Sequence, residues 1–130
     1  MRMVFVCVEN SNRSQMAEAF ARMAGVEAYS AGSRPSGKVN PQAIEAMKEL
    51  GYDLAAHGSK SLAELPDLPF DVAVSMGCGD QCPNLLAARR EDWEIPDPKN
   101  LPVDEFRAVR DLIGMKVQSL VAELRESNPN

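Results

Sequence analysis

The chain has 130 residues, 45% hydrophobic and 25% charged. This is ordinary usage for a soluble domain with one core, and it excludes disorder, fibrous repeats and separate catalytic and regulatory domains. Fourteen Lys and Arg against nineteen Asp and Glu leave a formal charge of −5, which argues against a nucleic-acid partner held by a basic surface.

Met3 to Val8 is a short apolar run rich in β-branched and aromatic residues, read as a buried strand. Glu9 stops it before it reaches the length of a secretory signal, and no other stretch could span a bilayer. The expectation is a cytoplasmic protein with no membrane partner. A polar loop through Arg13 follows. Met16, Ala19, Phe20 and Met23 then recur at helical spacing, giving a helix from about Ser14 to Ala24. Glu27 to Ser30 reads as a second strand and Ala31 to Val39 as a loop. Asn40-Pro41 starts a helix whose inner face is Ile44, Met47 and Leu50 and which Gly51 ends. Phe70 to Ser75 is a further buried strand, and Trp93-Glu-Ile95 is the candidate final strand. From about Pro102, the spacing of Phe106, Val109, Ile113, Val117, Leu120 and Leu124 describes a long amphipathic helix. This alternation predicts a single α/β domain over 1–130, with a parallel sheet between helical layers. Sites in such sheets lie at the C-terminal ends of strands. The loops Cys7 to Arg13, Met76 to Pro83 and Pro96 to Lys99 are therefore expected on one edge.

The first of these loops carries the chemistry. Cys7 ends a strand, Arg13 lies six residues on, and Ser14 opens a helix. A short loop entering a helix N-terminus turns its backbone N–H groups inward and makes an anion-sized nest from Val8, Glu9, Asn10, Ser11, Asn12, Arg13 and Ser14. Arg13 adds a planar fork for two oxygens of a tetrahedral anion. The same field favours thiolate over thiol at Cys7, placing a nucleophile against a bound electrophile. Inert packing of Cys7 is the default for a lone cysteine, and the strand-to-helix context weighs against it.

Cys7-Val-Glu-Asn-Ser-Asn-Arg-Ser-Gln-Met-Ala-Glu18 resembles the Cys-x5-Arg-Ser signature of the low-molecular-weight tyrosine phosphatase fold, in the form typical of arsenate reductases. The likeness continues through Ser30-Ala-Gly32, Asn40 to Met47, His57-Gly-Ser-Lys60, Met76 to Pro83, Trp93 and Asp97-Pro98, and so covers nearly the whole chain. It implies a three-layer α/β/α domain with a four-stranded parallel sheet. It also implies Asp97 as the acid above the anion loop, a residue that would otherwise read as an ordinary Asp-Pro turn.

Three cysteines, an odd number in a reducing compartment, suit redox chemistry better than a standing disulfide framework. Cys78 and Cys82 are four residues apart and flanked by Gly77 and Gly79, so their sulfurs can approach bonding distance. A zinc site of Cys7, Cys78, Cys82 and His57 would consume the activated cysteine and lacks a familiar ligand spacing. The expected reading has no cofactor and is a thiol relay that converts arsenate to arsenite. Cys7 is the nucleophile, and Cys78 and Cys82 are the resolving pair in an order that sequence leaves open. Thioredoxin is the expected reductant, with glutaredoxin or a small thiol as alternatives.

Some relatives bind potassium beside the anion loop through residues matching Asn10, Glu18 and Ser30 plus an acidic residue, in whose place this chain has Lys60. An ammonium there is expected to replace the ion and to brace Asn10 through Glu18, the alternative being a solvated lysine. Ser14 is expected to donate to the Cys7 sulfur. His57 follows a helix and a short loop, away from the three loops, and is expected to be structural. A protein tyrosine phosphatase would use Cys7, Arg13 and Asp97 without Cys78 or Cys82. Its usual aromatic residues after Asp-Pro are absent here, where Lys99-Asn100 stand. A non-catalytic oxyanion or redox sensor is the rival of another class. A monomer is expected, for want of an apolar surface excess.

Overall fold

The computed structural model describes residues 1–67, 69–77 and 87–127. Strand β1 (Arg2–Cys7) lies inside the sheet because its run of apolar residues faces both ways: Met3, Val4 and Phe5 are wholly inaccessible. It pairs in parallel with β2 (Glu27–Gly32) on one side and β3 (Phe70–Ser75) on the other. A fourth strand, β4 (Ala87–Asp92), pairs in parallel with β3 and completes the order β2-β1-β3-β4. The fold is thus the α/β class with a four-stranded parallel sheet that the sequence predicts.

Helices α1 (Arg13–Met23), α2 (Pro41–Lys48) and α3 (Val103–Ser127) contribute to one core with Met3, Phe5, Cys7, Val72 and Val74. Asn40 starts α2 as expected, its Oδ1 accepting from the Gln42 N–H at 2.9 Å with Pro41 in the first turn. On the opposite face Val4, Val6 and Phe70 pack against Leu62 and Leu65, in and beside the 3-10 turn Leu62–Glu64. Among the described residues no helix is long and apolar enough to cross a membrane.

The final strand is not where the sequence places it. Trp93 and Ile95 are buried in the core, but they follow β4, whose own residues alternate between half-buried and exposed. An edge strand of small and charged residues carries no apolar signature, and its charges discourage pairing with another chain. The Trp93 N–H still donates to the Ser75 carbonyl at 2.9 Å, one rung beyond the strand.

Chain order and sheet order reverse at β1. The crossover from β1 goes to β2 on one side, and the next strand returns to β1's other side. The crevice at the C-terminal ends of β1 and β3 is therefore the topological switch point, where open α/β sheets place their ligands. Cys7 and Met76-Gly77 emerge there.

Candidate active site

The loop from Cys7 to Arg13 is held open from outside. The carbonyls of Cys7, Val8, Glu9 and Ser11 accept the N–H groups of Ser33 (3.2 Å), Arg34 (2.7 Å), Ser36 (3.0 Å) and Asn40 (3.1 Å). The Asn12 carbonyl accepts from Met16 N–H in the first turn of α1 (3.0 Å), and the Asn10 carbonyl from Gln15 Nε2 (3.2 Å). In a trans peptide the N–H points opposite to the preceding carbonyl. Six consecutive outward carbonyls therefore turn the N–H groups of residues 8–13 toward the space the loop encloses. Gly32 permits this closeness, since a Cβ there would stand 2.5 Å from the Val8 carbonyl oxygen.

A cavity of about 230 Å³ fills that space, lined by Cys7, Val8, Glu9, Ser11, Asn12, Arg13 and Asp97. Backbone amides, a guanidinium, a sulfur and a carboxyl thus converge on one hollow. A hollow of about 250 Å³ between α2 and α3 is walled by Pro41, Ala46, Val103 and Phe106 with Gln42, Glu45, Glu49 and Arg107 around them, and none of these is a cysteine. Arg13 Nη1 donates to the Ile95 carbonyl at 3.0 Å, which ties the anion loop to the segment that carries Asp97 two residues later. Asp97 is exposed, with Oδ1 accepting from the Lys99 N–H at 3.1 Å, so it forms a turn and also borders the cavity. Lys99 Nζ lies 3.7 Å from Glu9 Oε2 at the rim.

Beneath the cavity a chain of hydrogen bonds starts at the Cys7 sulfur. Cys7 Sγ is 2.9 Å from Ser14 Oγ, and Asn10 Nδ2 donates to the same hydroxyl at 2.8 Å. The hydroxyl accepts from Asn10, so its own proton is free for the sulfur. Asn10 is wholly buried in a left-handed conformation (φ 52°), and its Oδ1 accepts from Gln15 Nε2 (2.9 Å) and from the Lys60 backbone N–H (2.8 Å). Gln15 Oε1 meets His57 Nδ1 at 2.9 Å, and His57 Nε2 meets the Tyr52 hydroxyl at 2.6 Å. Gln15 Nε2 is already engaged as a donor to Asn10 and Gly58, which assigns the imidazole proton to Nδ1 and leaves Nε2 to accept from Tyr52. Burial pushes the His57 imidazole below its ordinary range; Glu18 opposes the shift, and Arg22 and Lys60 add to it.

Glu18 is 2% exposed and anchors the other side of this floor. Its carboxylate accepts from Ser30 Oγ at 2.5 Å and Arg22 Nε at 2.8 Å, with Lys60 Nζ at 3.9 Å. Lys60 Nζ donates to the Gly58 carbonyl at 3.0 Å, and its direct link to Asn10 runs through its backbone N–H.

The structure thus gathers Cys7, Val8, Glu9, Ser11, Asn12, Arg13 and Asp97 around one cavity, with Asn10 and Ser14 buried beneath it rather than lining it and Glu18, Ser30 and Lys60 behind. Cys78 and Cys82 lie outside the described residues. His57, expected away from the loops, reaches the anion loop through a single side chain, Gln15. Gln15 and Tyr52 were not singled out from sequence: a glutamine on a helix and a tyrosine after a glycine carry no local signal, and only the fold brings them to Asn10. Asn12 lines the cavity with its Oδ1 buried and without a hydrogen-bond partner. Both His57 ring nitrogens are engaged by Gln15 and Tyr52, so the imagined zinc set lacks a free imidazole.

Residues 2–130 match the low molecular weight phosphotyrosine protein phosphatase family. A relative from Synechocystis sp. named glutaredoxin arsenate reductase is 35% identical over 128 residues, covering 95% of this chain and 98% of that one. Among solved structures, an arsenate reductase in the phosphate binding state superposes with a TM-score of 0.85 at 35% identity, covering 94% and 97% of the two chains. The thioredoxin-dependent arsenate reductase of Corynebacterium glutamicum gives 0.78 at 29% identity, covering 98% of this chain and 63% of that longer one. On its match, its fold and its similarity to these proteins, the chain belongs to the low-molecular-weight phosphotyrosine protein phosphatase family, on the branch that holds the arsenate reductases.

Proposed function

We propose that the protein reduces arsenate to arsenite through a relay of its three cysteines. The observation that carries this reading is the anion loop. Cys7 Sγ borders a cavity toward which six N–H groups and Arg13 turn, with a hydroxyl donor 2.9 Å from the sulfur. Such a ring binds a tetrahedral oxyanion and holds the thiolate in line with its central atom.

The steps balance as follows. The Cys7 thiolate attacks arsenic, forming an S–As bond, and an As–O bond breaks with Asp97 protonating the leaving oxygen to water. A Cys78 thiolate then attacks the Cys7 sulfur. The S–S bond forms as the S–As bond breaks, and its electron pair stays on arsenic, which leaves as arsenite. Cys82 attacks Cys78 and releases Cys7, leaving a Cys78–Cys82 disulfide that an external dithiol reduces. Ser14 supports Cys7 as nucleophile and as leaving group. Asn10, Glu18, Ser30 and Lys60 brace the loop, with Lys60 supplying positive charge where the resemblance predicts potassium. Thioredoxin is the favoured reductant, in keeping with the Corynebacterium relative. The name of the Synechocystis relative keeps a glutaredoxin system as the alternative. A three-thiol relay needs a reducing compartment, which fits a cytoplasmic location.

The test is arsenate-dependent NADPH oxidation, with thioredoxin and its reductase in one arm and glutaredoxin with glutathione and its reductase in the other. Turnover in the thioredoxin arm is expected, and loss on Cys7→Ser. Turnover in the glutaredoxin arm alone replaces the partner, and silence in both overturns the reading. The second reading, a phosphatase, draws on the same cavity. Lys99 is drawn to Glu9 at the rim, where an aromatic platform would grip a phosphotyrosine, and this favours a small anion. Aryl phosphate hydrolysis is expected to be slow.

A further inference from the structure

Gly77 follows directly on Met76, whose N–H donates to the Val6 carbonyl at 2.8 Å at the end of the β1–β3 pairing. Its φ is +79°, and its bare α-carbon faces the Arg13 guanidinium. A Cβ built there would overlap Arg13 Nη1 and stand 3.2 Å from Cζ and 3.5 Å from Nη2. Nη1 thus lies in the volume that any Cβ at position 77 would fill, Cζ would be crowded by it, and Nη2 would stay in ordinary van der Waals contact. From the far side, Nη1 is held by the Ile95 carbonyl at 3.0 Å. The arginine is seated in a slot with the β3 exit as one wall and the approach to Asp97 as the other.

We propose that Gly77 is a positioning residue: its missing side chain seats the Arg13 fork at the rim of the cavity, so position 77 sets oxyanion affinity. This rests on the oxyanion reading of the cavity. Two features separate it from an ordinary turn glycine. The overlap is with the far end of a flexible side chain, so a methyl group at 77 displaces the guanidinium and leaves the fold in place. Among the described residues the displaced group is also the one side-chain cation that lines the cavity, so the substitution is felt as lost anion binding.

The test is inorganic phosphate binding to the full-length reduced protein, followed by titration calorimetry. Arg13→Ala is the control for the cavity itself and is expected to weaken phosphate. Gly77→Ala and Gly77→Asn are each expected to weaken it about tenfold, the scale of one charge-assisted hydrogen bond. Asn tolerates positive φ better than Ala but carries the same Cβ, so it separates steric displacement from backbone strain and serves if the alanine variant folds poorly. In an Arg13→Ala background, Gly77→Ala is expected to cost nothing further. Phosphate binding unchanged by either substitution at 77, a loss in Ala that Asn does not share, or a full additional loss in the double variant would each overturn the proposal while the Arg13→Ala control leaves the oxyanion reading standing. Wild-type protein that binds no phosphate overturns both.

Discussion

Asn10→Ala is the sharpest probe of how the anion loop is held. The side chain makes three hydrogen bonds, to Ser14 Oγ, Gln15 Nε2 and the Lys60 N–H, at 2.8, 2.9 and 2.8 Å. Gln15 Nε2 keeps the Asn10 and Gly58 carbonyls as partners, so its loss is small. The Lys60 N–H is left without its acceptor, at about 1–2 kcal/mol, and the bond to Ser14 is worth about 1 kcal/mol. A further ~1 kcal/mol comes from placing Ala at φ 52°, where Asn is tolerated. The sum is about 3–4 kcal/mol. At roughly 2.1 cal/mol/K per residue the unfolding entropy of this chain is about 0.27 kcal/mol/K, so Tm falls by about 11–15 °C. Thermal unfolding of the reduced protein, read by circular dichroism, measures it. Asn10→Gly keeps the hydrogen-bond loss without the φ strain and is expected to fall between wild type and Asn10→Ala. A drop under about 3 °C for Asn10→Ala would refute the bracing role assigned to these bonds.

Gly114→Ala gains about 1 kcal/mol of helix propensity. Its Cβ would stand 2.7 Å from Phe20 Cζ, so overpacking between α1 and α3 is expected to win, for a net loss of about 1–2 kcal/mol by urea denaturation. His57 titrates below its ordinary value of 6.5 because burial disfavours its charge. It therefore adds stability above that pH and loses it as pH falls through the lowered folded value, and His57→Gln is expected to flatten this part of the stability–pH curve. With Lys60 beside Glu18, steady-state activity and Tm are expected to be unchanged when potassium is replaced by a large organic cation; a marked loss would assign the site to an ion.

The class of fold was legible because the strong apolar runs, Met3 to Val8 and Phe70 to Ser75, are buried strands, and because α1 and α3 keep their apolar residues at helical spacing. The edge strand was not legible, since β4 needs no apolar face to pair with β3. Its place went to Trp93 and Ile95, which are core residues outside any strand. Cys7, Arg13 and Ser14 were visible as chemistry at fixed spacing, whereas Asp97 came only through the family resemblance and would otherwise read as a turn. The support beneath them was not. Gln15, His57 and Tyr52 meet Asn10 only through tertiary structure, and Ile95 contributes a carbonyl, which every residue has. The need for glycine at 77 likewise follows from where Arg13 ends, sixty-four positions earlier in the chain.

The central claim is that electrons reach arsenic through the Cys7 sulfur. Mass spectrometry of Cys82→Ser after one equivalent of arsenate tests it most directly. The account predicts one arsenite per protein and a trapped disulfide joining Cys7 to Cys78. Arsenite without a disulfide at Cys7, or no arsenite from a protein whose Cys7 is reduced and alkylable, would contradict it.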